Sequence, residues 1–202
     1  MSLVQANFAL SIVTSIDCFH LQISQQSSTD VHIRTEALVI LGSPGRVYEM
    51  SSVYFASTHY KLPVISKERF YKRIPGLFVS GSADFTILCL CIHLLHQTPS
   101  LSTETMVSSL YTTVKTSISL LEATSCNSLD IIQCRLLLVL YEMGHGIYPA
   151  ASISIGACAR AARNLGLHPG SSEAAEPTSM EVIEEERRRT WWAVHNLDRY
   201  GL

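Results

Sequence analysis

Two consecutive helices near the end of the chain constrain the fold most, because both carry recognisable terminal signals. The first is predicted to begin at Pro149, since proline is favoured at the first helical position, where its missing N–H costs no hydrogen bond. It is predicted to end at Gly166, because glycine adopts the left-handed conformation of a helix C-terminus without steric cost. A face of mostly small residues predicts close packing against neighbouring helices: Ile153, Gly156, Ala157, Ala161 and Leu165.

The second helix is predicted from a capping box formed by Thr178 and Glu181. Three glutamates, residues 184–186, then precede three arginines, residues 187–189, at spacings that allow ion pairs along the helix. Each glutamate is expected to reach one of these arginines. We therefore interpret the arginines as a solvated, self-paired helix face rather than as a nucleic-acid contact, because the glutamates cancel the positive field that a phosphate requires.

Trp191 and Trp192 follow the charged turns of this helix. Consecutive residues on a helix point about 100° apart, so both indoles are buried only if the helix is covered on two sides. We expect one of the two tryptophans to be substantially exposed, and the chain to be an incomplete domain.

Further helices are indicated by helical periodicity and by capping residues in the rest of the chain. Ser66, Ser82 or Asp84, Ser102, and Asn127 or Ser128 are the predicted caps. The helix after Ser102 carries a single apolar seam, which favours a buried core contact over a dimerising coiled coil: Val107, Tyr111, Val114, Ile118 and Leu121. With no convincing strand pattern, the predicted fold is all-α, an antiparallel array of about six helices.

Composition excludes several classes of protein. The formal net charge is −2, whereas DNA-binding modules usually carry a basic excess. The longest apolar run, from Phe85 to Leu95, is shorter than the ~20 residues that a membrane-spanning helix requires, so no membrane association is expected. Six scattered cysteines contain no Cys-x2-Cys pair, which predicts buried thiols and no zinc or other cofactor in this chain.

Catalytic signatures are missing, and we predict that the chain is not an enzyme. Glu142 could orient His145 as a base, but such pairs arise by chance in helical proteins. Cys91, His93 and His96 are too poor a set for a metal site. His59 has no second ligand at metal-binding spacing and is interpreted as a structural histidine with satisfied hydrogen bonds.

The order of motifs resembles a known family. The run Glu-Glu-Arg-Arg-Arg-x-Trp-Trp-Ala-Val-x-x-Leu-Asp-Arg, preceded by Gly-Ala-Cys-Ala-Arg-x-Ala-x-x-Leu-Gly-Leu-His, is similar to the fungal-specific transcription factor domain, the middle homology region of zinc-cluster (Zn2Cys6) regulators. The residues that carry these motifs and have expected structural roles are Gly146, Tyr148, Pro149, Gly156, Gly166, Arg188, Arg189, Trp191, Trp192, Asp198 and Arg199. The resemblance covers residues 47–202, as the N-terminal part of such a domain, and leaves 1–46 unassigned.

The resemblance implies a nuclear protein that regulates transcription. Its expected partners are the other parts of a full-length regulator, a small-molecule effector or the transcription machinery. DNA would be contacted only through a zinc cluster that this chain lacks, and we therefore expect its start to be shortened or misassigned. The alternative is an independent helical module that binds a ligand or a protein and has no DNA role.

Overall fold

The computed structural model describes residues 28–97, 108–124, 126–168 and 180–200, and every regular element in them is an α-helix. The predicted all-α class is therefore confirmed. The described residues form nine helices instead of about six: α1 (28–41), α2 (Pro44–Ala56), α3 (Thr58–Lys61), α4 (Lys67–Ser80), α5 (Ala83–Leu95), α6 (Ser109–Ala123), α7 (Leu129–Gly144), α8 (Tyr148–Asn164) and α9 (Met180–Tyr200).

Helices α5 and α7 form the centre of the molecule. Ten of the thirteen residues of α5 and eleven of the sixteen residues of α7 are buried, so both helices are covered on nearly every side. They pack on each other, and α8 also packs against α7. Only residues 145–147 connect α7 to α8, and so short a connection joins helices that run in opposite directions, in keeping with the predicted antiparallel array.

Four of the helices have a serine as their N-cap residue. Ser43, Ser66, Ser108 and Ser128 each accept a hydrogen bond from the backbone N–H three residues later. The cap predicted at Ser102 is wrong for α6, since the helix begins at Ser109; Ser102 and Val107 themselves lie outside the described residues. The remaining members of the predicted seam are buried: Tyr111, Val114, Ile118 and Leu121.

The predicted end of α8 is confirmed. Gly166 has φ +67°, its N–H donates to the Arg163 carbonyl at 3.0 Å, and the Leu167 N–H donates to the Ala162 carbonyl at 3.1 Å. These two bonds define a Schellman motif, and Leu167 packs back into the core. The helix starts one residue before Pro149, which stands in its first turn.

The predicted buried face of α8 is wrong. Ile153 is 72% exposed, and Gly156, Ala157, Ala161 and Leu165 are only partly buried. Another face enters the core: Ala151, Ser154, Ile155, Cys158, Ala159 and Ala162. Small residues occur on several faces of α8, so two different faces have the spacing expected of a buried face. Packing against α7 determines which of the two faces is buried.

Helix α1 belongs to the same core although the family resemblance omits it. Ile33, Ala37 and Leu41 are at most 1% exposed, and Arg34 donates through Nη2 to the Leu77 carbonyl at 3.3 Å. No single described helix has both the length and the hydropathy of a membrane span; α4 and α5 pass that test only as a pair, bent by 115° at the break between them.

Candidate functional site

Helix α9 buries two polar side chains one turn apart, Glu186 and Thr190, which are 3% and 0% exposed. The Thr190 hydroxyl donates to the Glu186 carbonyl at 2.8 Å and lies 3.4 Å from the Val64 carbonyl. The first half of α9 thereby lies against the segment that leads into α4.

The Glu186 carboxylate joins three distant parts of the chain. Oε1 accepts from the Ser66 N–H and from Gln133 Nε2, each at 3.0 Å, and Oε2 accepts from Arg69 Nη1 at 2.5 Å. The expectation that Glu186 would pair along α9 is therefore wrong. Its partners are 117 and 120 residues away in sequence for Arg69 and Ser66, so spacing along α9 could not reveal them.

Asp130 at the start of α7 extends the same cluster. This carboxylate is 3% exposed and binds Arg73 through both guanidinium Nη atoms, with Nη1 at 3.0 Å from Oδ1. Arg69 Nη2 lies 3.4 Å from the same Oδ1 atom. Gln133 is fully buried and also donates to the Val64 carbonyl at 2.7 Å. We call this cluster the buried polar network: Ser66, Arg69, Arg73, Asp130, Gln133, Glu186 and Thr190.

The arginine triplet of α9 is largely paired within its own helix, as predicted. Arg188 and Arg189 both bind Glu185, with shortest distances of 2.6 Å, and Arg187 lies 3.6 Å from Glu184. Arg187 has a second role that the sequence did not indicate, because its Nη2 donates to the carbonyls of Leu165 and Gly166 at the end of α8. The predicted cap at Thr178 lies outside the described residues.

A cleft of about 370 Å³ adjoins the buried polar network. We call it the α3–α4–α9 cleft, after the helices that border it. Its lining includes His59, Pro63, Ile65, Lys67, Val182 and Arg189, together with Ser66, Glu185 and Glu186.

His59 lies in the wall of this cleft against two aromatic rings, those of Tyr54 and Phe55, with centroid distances of 5.9 and 5.0 Å. Its Nδ1 atom is buried and has no hydrogen-bond partner among the residues that the structure describes, so the prediction of a satisfied histidine is wrong. Burial lowers the pKa of His59, and the charges of Arg189 and Lys67 lower it further.

The two tryptophans differ as predicted. Trp192 is 47% exposed, whereas Trp191 is partly buried and packs against the core. Other motif residues lie mainly on the surface: Gly146, Tyr148, Pro149, Asp198 and Arg199 are exposed. Gly146 has φ +70°, which fits its place in the turn after α7.

The residues considered for catalysis are engaged elsewhere. Glu142 accepts from the Tyr111 hydroxyl at 2.7 Å and from Lys115 Nζ at 2.6 Å, and His145 contacts the Tyr141 carbonyl through Nδ1 at 2.9 Å. The structure therefore does not use Glu142 to orient His145.

In the part of the chain that the structure describes, no group of three or more His, Cys, Asp or Glu side chains is placed to bind a metal ion. The zinc that the resemblance implies for full-length regulators does not fit these residues. The absence of zinc from the chain stays a prediction.

The burial of Glu186 and Thr190 left a signal in the sequence. Residues 186, 190, 194 and 197 share one helical face, so the carboxylate and the hydroxyl align with Val194 and Leu197, which belong to the core. A glutamate on an apolar face requires a buried cation or several donors, which the chain supplies from α4 and α7.

Comparison with known proteins gives consistent matches. Residues 52–200 match the family described as fungal specific transcription factor domain. Transcription factor BOA15 of Botryotinia fuckeliana is 35% identical over 158 residues, which cover 76% of this chain and 87% of that relative.

Two further relatives are longer. Transcription factor tazR of Aspergillus terreus is 29% identical over 163 residues, and the depudecin biosynthesis cluster-specific transcription activator DEP6 of Fusarium langsethiae is 27% identical over 164 residues. Each match covers 75% of this chain but only 25% and 26% of the respective relative. No solved structure matches significantly.

Proposed function

Because the chain belongs to the family of fungal-specific transcription factor domains, we propose that it is the regulatory region of a zinc-cluster transcription factor and modulates DNA-templated transcription. The observation that carries this proposal is the match over residues 52–200, together with a relative named as a transcription factor and aligned over 87% of its length. The relatives reported above are named as transcription factors and not as enzymes.

In this proposal the chain acts in the nucleus through contacts other than DNA. Its formal charge of −2 and the pairing of its α9 arginines favour partners such as the transcription machinery or other parts of a full-length regulator. DNA is contacted through a zinc cluster supplied elsewhere, and a small-molecule effector adjusts the activity.

The buried polar network provides a means by which such an effector could act. It connects α4, α7 and α9 through charge-assisted hydrogen bonds whose donors and acceptors are mostly withdrawn from water. A change in the position of α9 would break several of these bonds together. The network therefore favours one docked position of α9, and any signal that shifts α9 must compensate for the broken bonds.

The test is a reporter assay in a fungal host, with the chain fused to a heterologous DNA-binding domain. We expect reporter transcription to change several-fold relative to the DNA-binding domain alone. A Glu186→Ala fusion should lose this effect, whereas Lys72→Gln, at an exposed position paired with Glu68, should retain it.

A folded, nuclear, DNA-bound fusion that leaves transcription unchanged would contradict the proposal. If such a fusion still bound a ligand or a protein, the result would favour the independent helical module without a DNA role.

A further inference from the structure

The α3–α4–α9 cleft combines the volume of a small-molecule site with an apolar wall. Its volume of about 370 Å³ lies at the lower end of the range for ligand pockets, roughly 300–1,000 Å³. Pro63, Ile65 and Val182 contribute the apolar surface, and Val182 is 44% exposed. The cleft therefore offers apolar contacts to the body of a small organic molecule.

The carboxylates in the lining are already engaged by cations or amides. Glu185 binds both Arg188 and Arg189, and Glu186 is held by Arg69 within the buried polar network. Lys67, in contrast, forms no ion pair with any residue that the structure describes. The uncompensated charge at the cleft is consequently positive.

His59 responds to this charge. Burial of the imidazole lowers the pKa of His59. The positive charges of Arg189 and Lys67, which line the same cleft, lower this pKa further. The buried Nδ1 atom has no hydrogen-bond partner in the described part of the chain. A negatively charged group in the cleft would reduce the repulsion among these three side chains and favour a protonated, hydrogen-bonding imidazole.

We propose that the α3–α4–α9 cleft binds a small organic anion that carries its negative group on an apolar body. Lys67 interacts with the negative group, and Arg189, which shares the single charge of Glu185 with Arg188 and is therefore only partly neutralised, adds to the attraction. His59 supplies a further polar contact, and the body packs against Pro63, Ile65 and Val182. This site does not depend on a role in transcription, since binding is a property of the cleft itself.

Occupation of the cleft would also stabilise the docking of α9. The walls come from residues 59–67 on one side and from residues 182–189 of α9 on the other, so a bound anion holds together two segments that are distant in sequence. Any ligand that binds only the folded protein raises the midpoint of thermal unfolding by mass action. An anion in the cleft should therefore raise this midpoint as well as give a direct binding signal.

Calorimetric titration of the full chain with 2-naphthoate, compared with the uncharged 2-naphthalenemethanol, tests the proposal. We expect 2-naphthoate to bind with a Kd below about 1 mM and the alcohol to bind at least about tenfold more weakly, since hydrogen bonds to charged groups contribute strongly to affinity. Lys67→Gln and Arg189→Gln should each weaken naphthoate binding about tenfold. Lys72→Gln removes the same charge outside the cleft and should leave the Kd unchanged.

Proton NMR of His59 gives a readout specific to this cleft, because its titration midpoint should move to higher pH when 2-naphthoate is bound. The proposal is overturned if 2-naphthoate does not bind at about 1 mM, or if the alcohol binds equally well. It is also overturned if Lys72→Gln weakens binding as much as Lys67→Gln, since net charge alone would then explain the affinity. The proposal is also overturned if inorganic phosphate binds as tightly as 2-naphthoate, since the apolar wall would then contribute nothing to affinity.

Discussion

Replacing Glu186 by alanine tests whether the buried polar network holds α9 in place. The carboxylate is 3% exposed and accepts three hydrogen bonds, from Ser66 N–H, Arg69 Nη1 and Gln133 Nε2. Removing one member of a buried ion pair costs about 3–5 kcal/mol, because the other member is left uncompensated.

The lower end of this range applies here. Arg69 is 28% exposed at its side chain and keeps a contact to Asp130 at 3.4 Å, so water and Asp130 partly compensate its charge. Gln133 retains its bond to the Val64 carbonyl. We therefore expect Glu186→Ala to lower the free energy of unfolding by about 3 kcal/mol, and Glu186→Gln, which keeps an acceptor of the same shape, by about 1–2 kcal/mol.

The measurement is urea unfolding of the full chain followed by far-UV circular dichroism. For a slope of about 2–3 kcal/mol per molar urea, the midpoint of Glu186→Ala should fall by about 1–1.5 M. Glu185→Ala is the matched control, since the described ion pairs of this neighbouring glutamate lie at the surface, where such pairs contribute less than about 1 kcal/mol.

A double-mutant cycle of Glu186→Gln with Arg69→Gln separates this contact from general effects of burial. The two changes should couple by at least about 0.5 kcal/mol if the network acts as described. Equal destabilisation by Glu185→Ala and Glu186→Ala, or strict additivity in the cycle, would refute the reasoning.

Four further outcomes follow from the sequence and the structure. Elemental analysis of the purified chain should find no stoichiometric zinc; one or two ions per chain, removed only with loss of structure, would contradict this. Duplex DNA should bind no more tightly than ~10⁻⁴ M at physiological salt, whereas a nanomolar, sequence-selective gel shift would oppose it. In single-tryptophan variants, Trp192 should emit at longer wavelength and be quenched more readily by acrylamide than Trp191; equal shielding would be inconsistent with the structure. Because the lowered pKa of His59 makes the unfolded chain bind this proton more tightly, stability should fall as pH drops through about 6.5, and His59→Phe should reduce that fall in urea unfolding.

Local signals predicted the helices best. Pro149 and Gly166 mark the first turn and the C-terminal motif of α8, and Ser66 and Ser128 cap α4 and α7, because these features depend on backbone geometry within a few residues. Long-range packing decided the rest. Ile153 faces solvent because α7 packs against another side of α8, and no property of α8 alone could distinguish the two faces.

The candidate site was predicted only in part. The pairing of Glu185 with Arg188 and Arg189 followed from helical spacing, whereas Glu186 has an equally suitable arginine nearby and binds Arg69 instead. The two glutamates differ because they lie on different faces of α9. Glu185 lies on the face toward solvent, whereas Glu186 lies on the core face, next to the donors of α4 and α7. The α3–α4–α9 cleft combines segments more than 110 residues apart, and a single sequence does not reveal such a pairing.

The long sequence separation between Arg69 and Glu186 has a consequence for protein synthesis. Arg69 is made 117 residues before Glu186, which at about 5–20 residues per second corresponds to roughly 6–23 s of translation. During this interval the Ser66 N–H and Arg69 have no acceptor from α9, and Gln133, which is made 53 residues before Glu186, lacks it for the last part of the interval. The contacts of Glu186 thus form only after α9 leaves the ribosome, and until then the donors supplied by α4 and α7 are hydrogen-bonded to water.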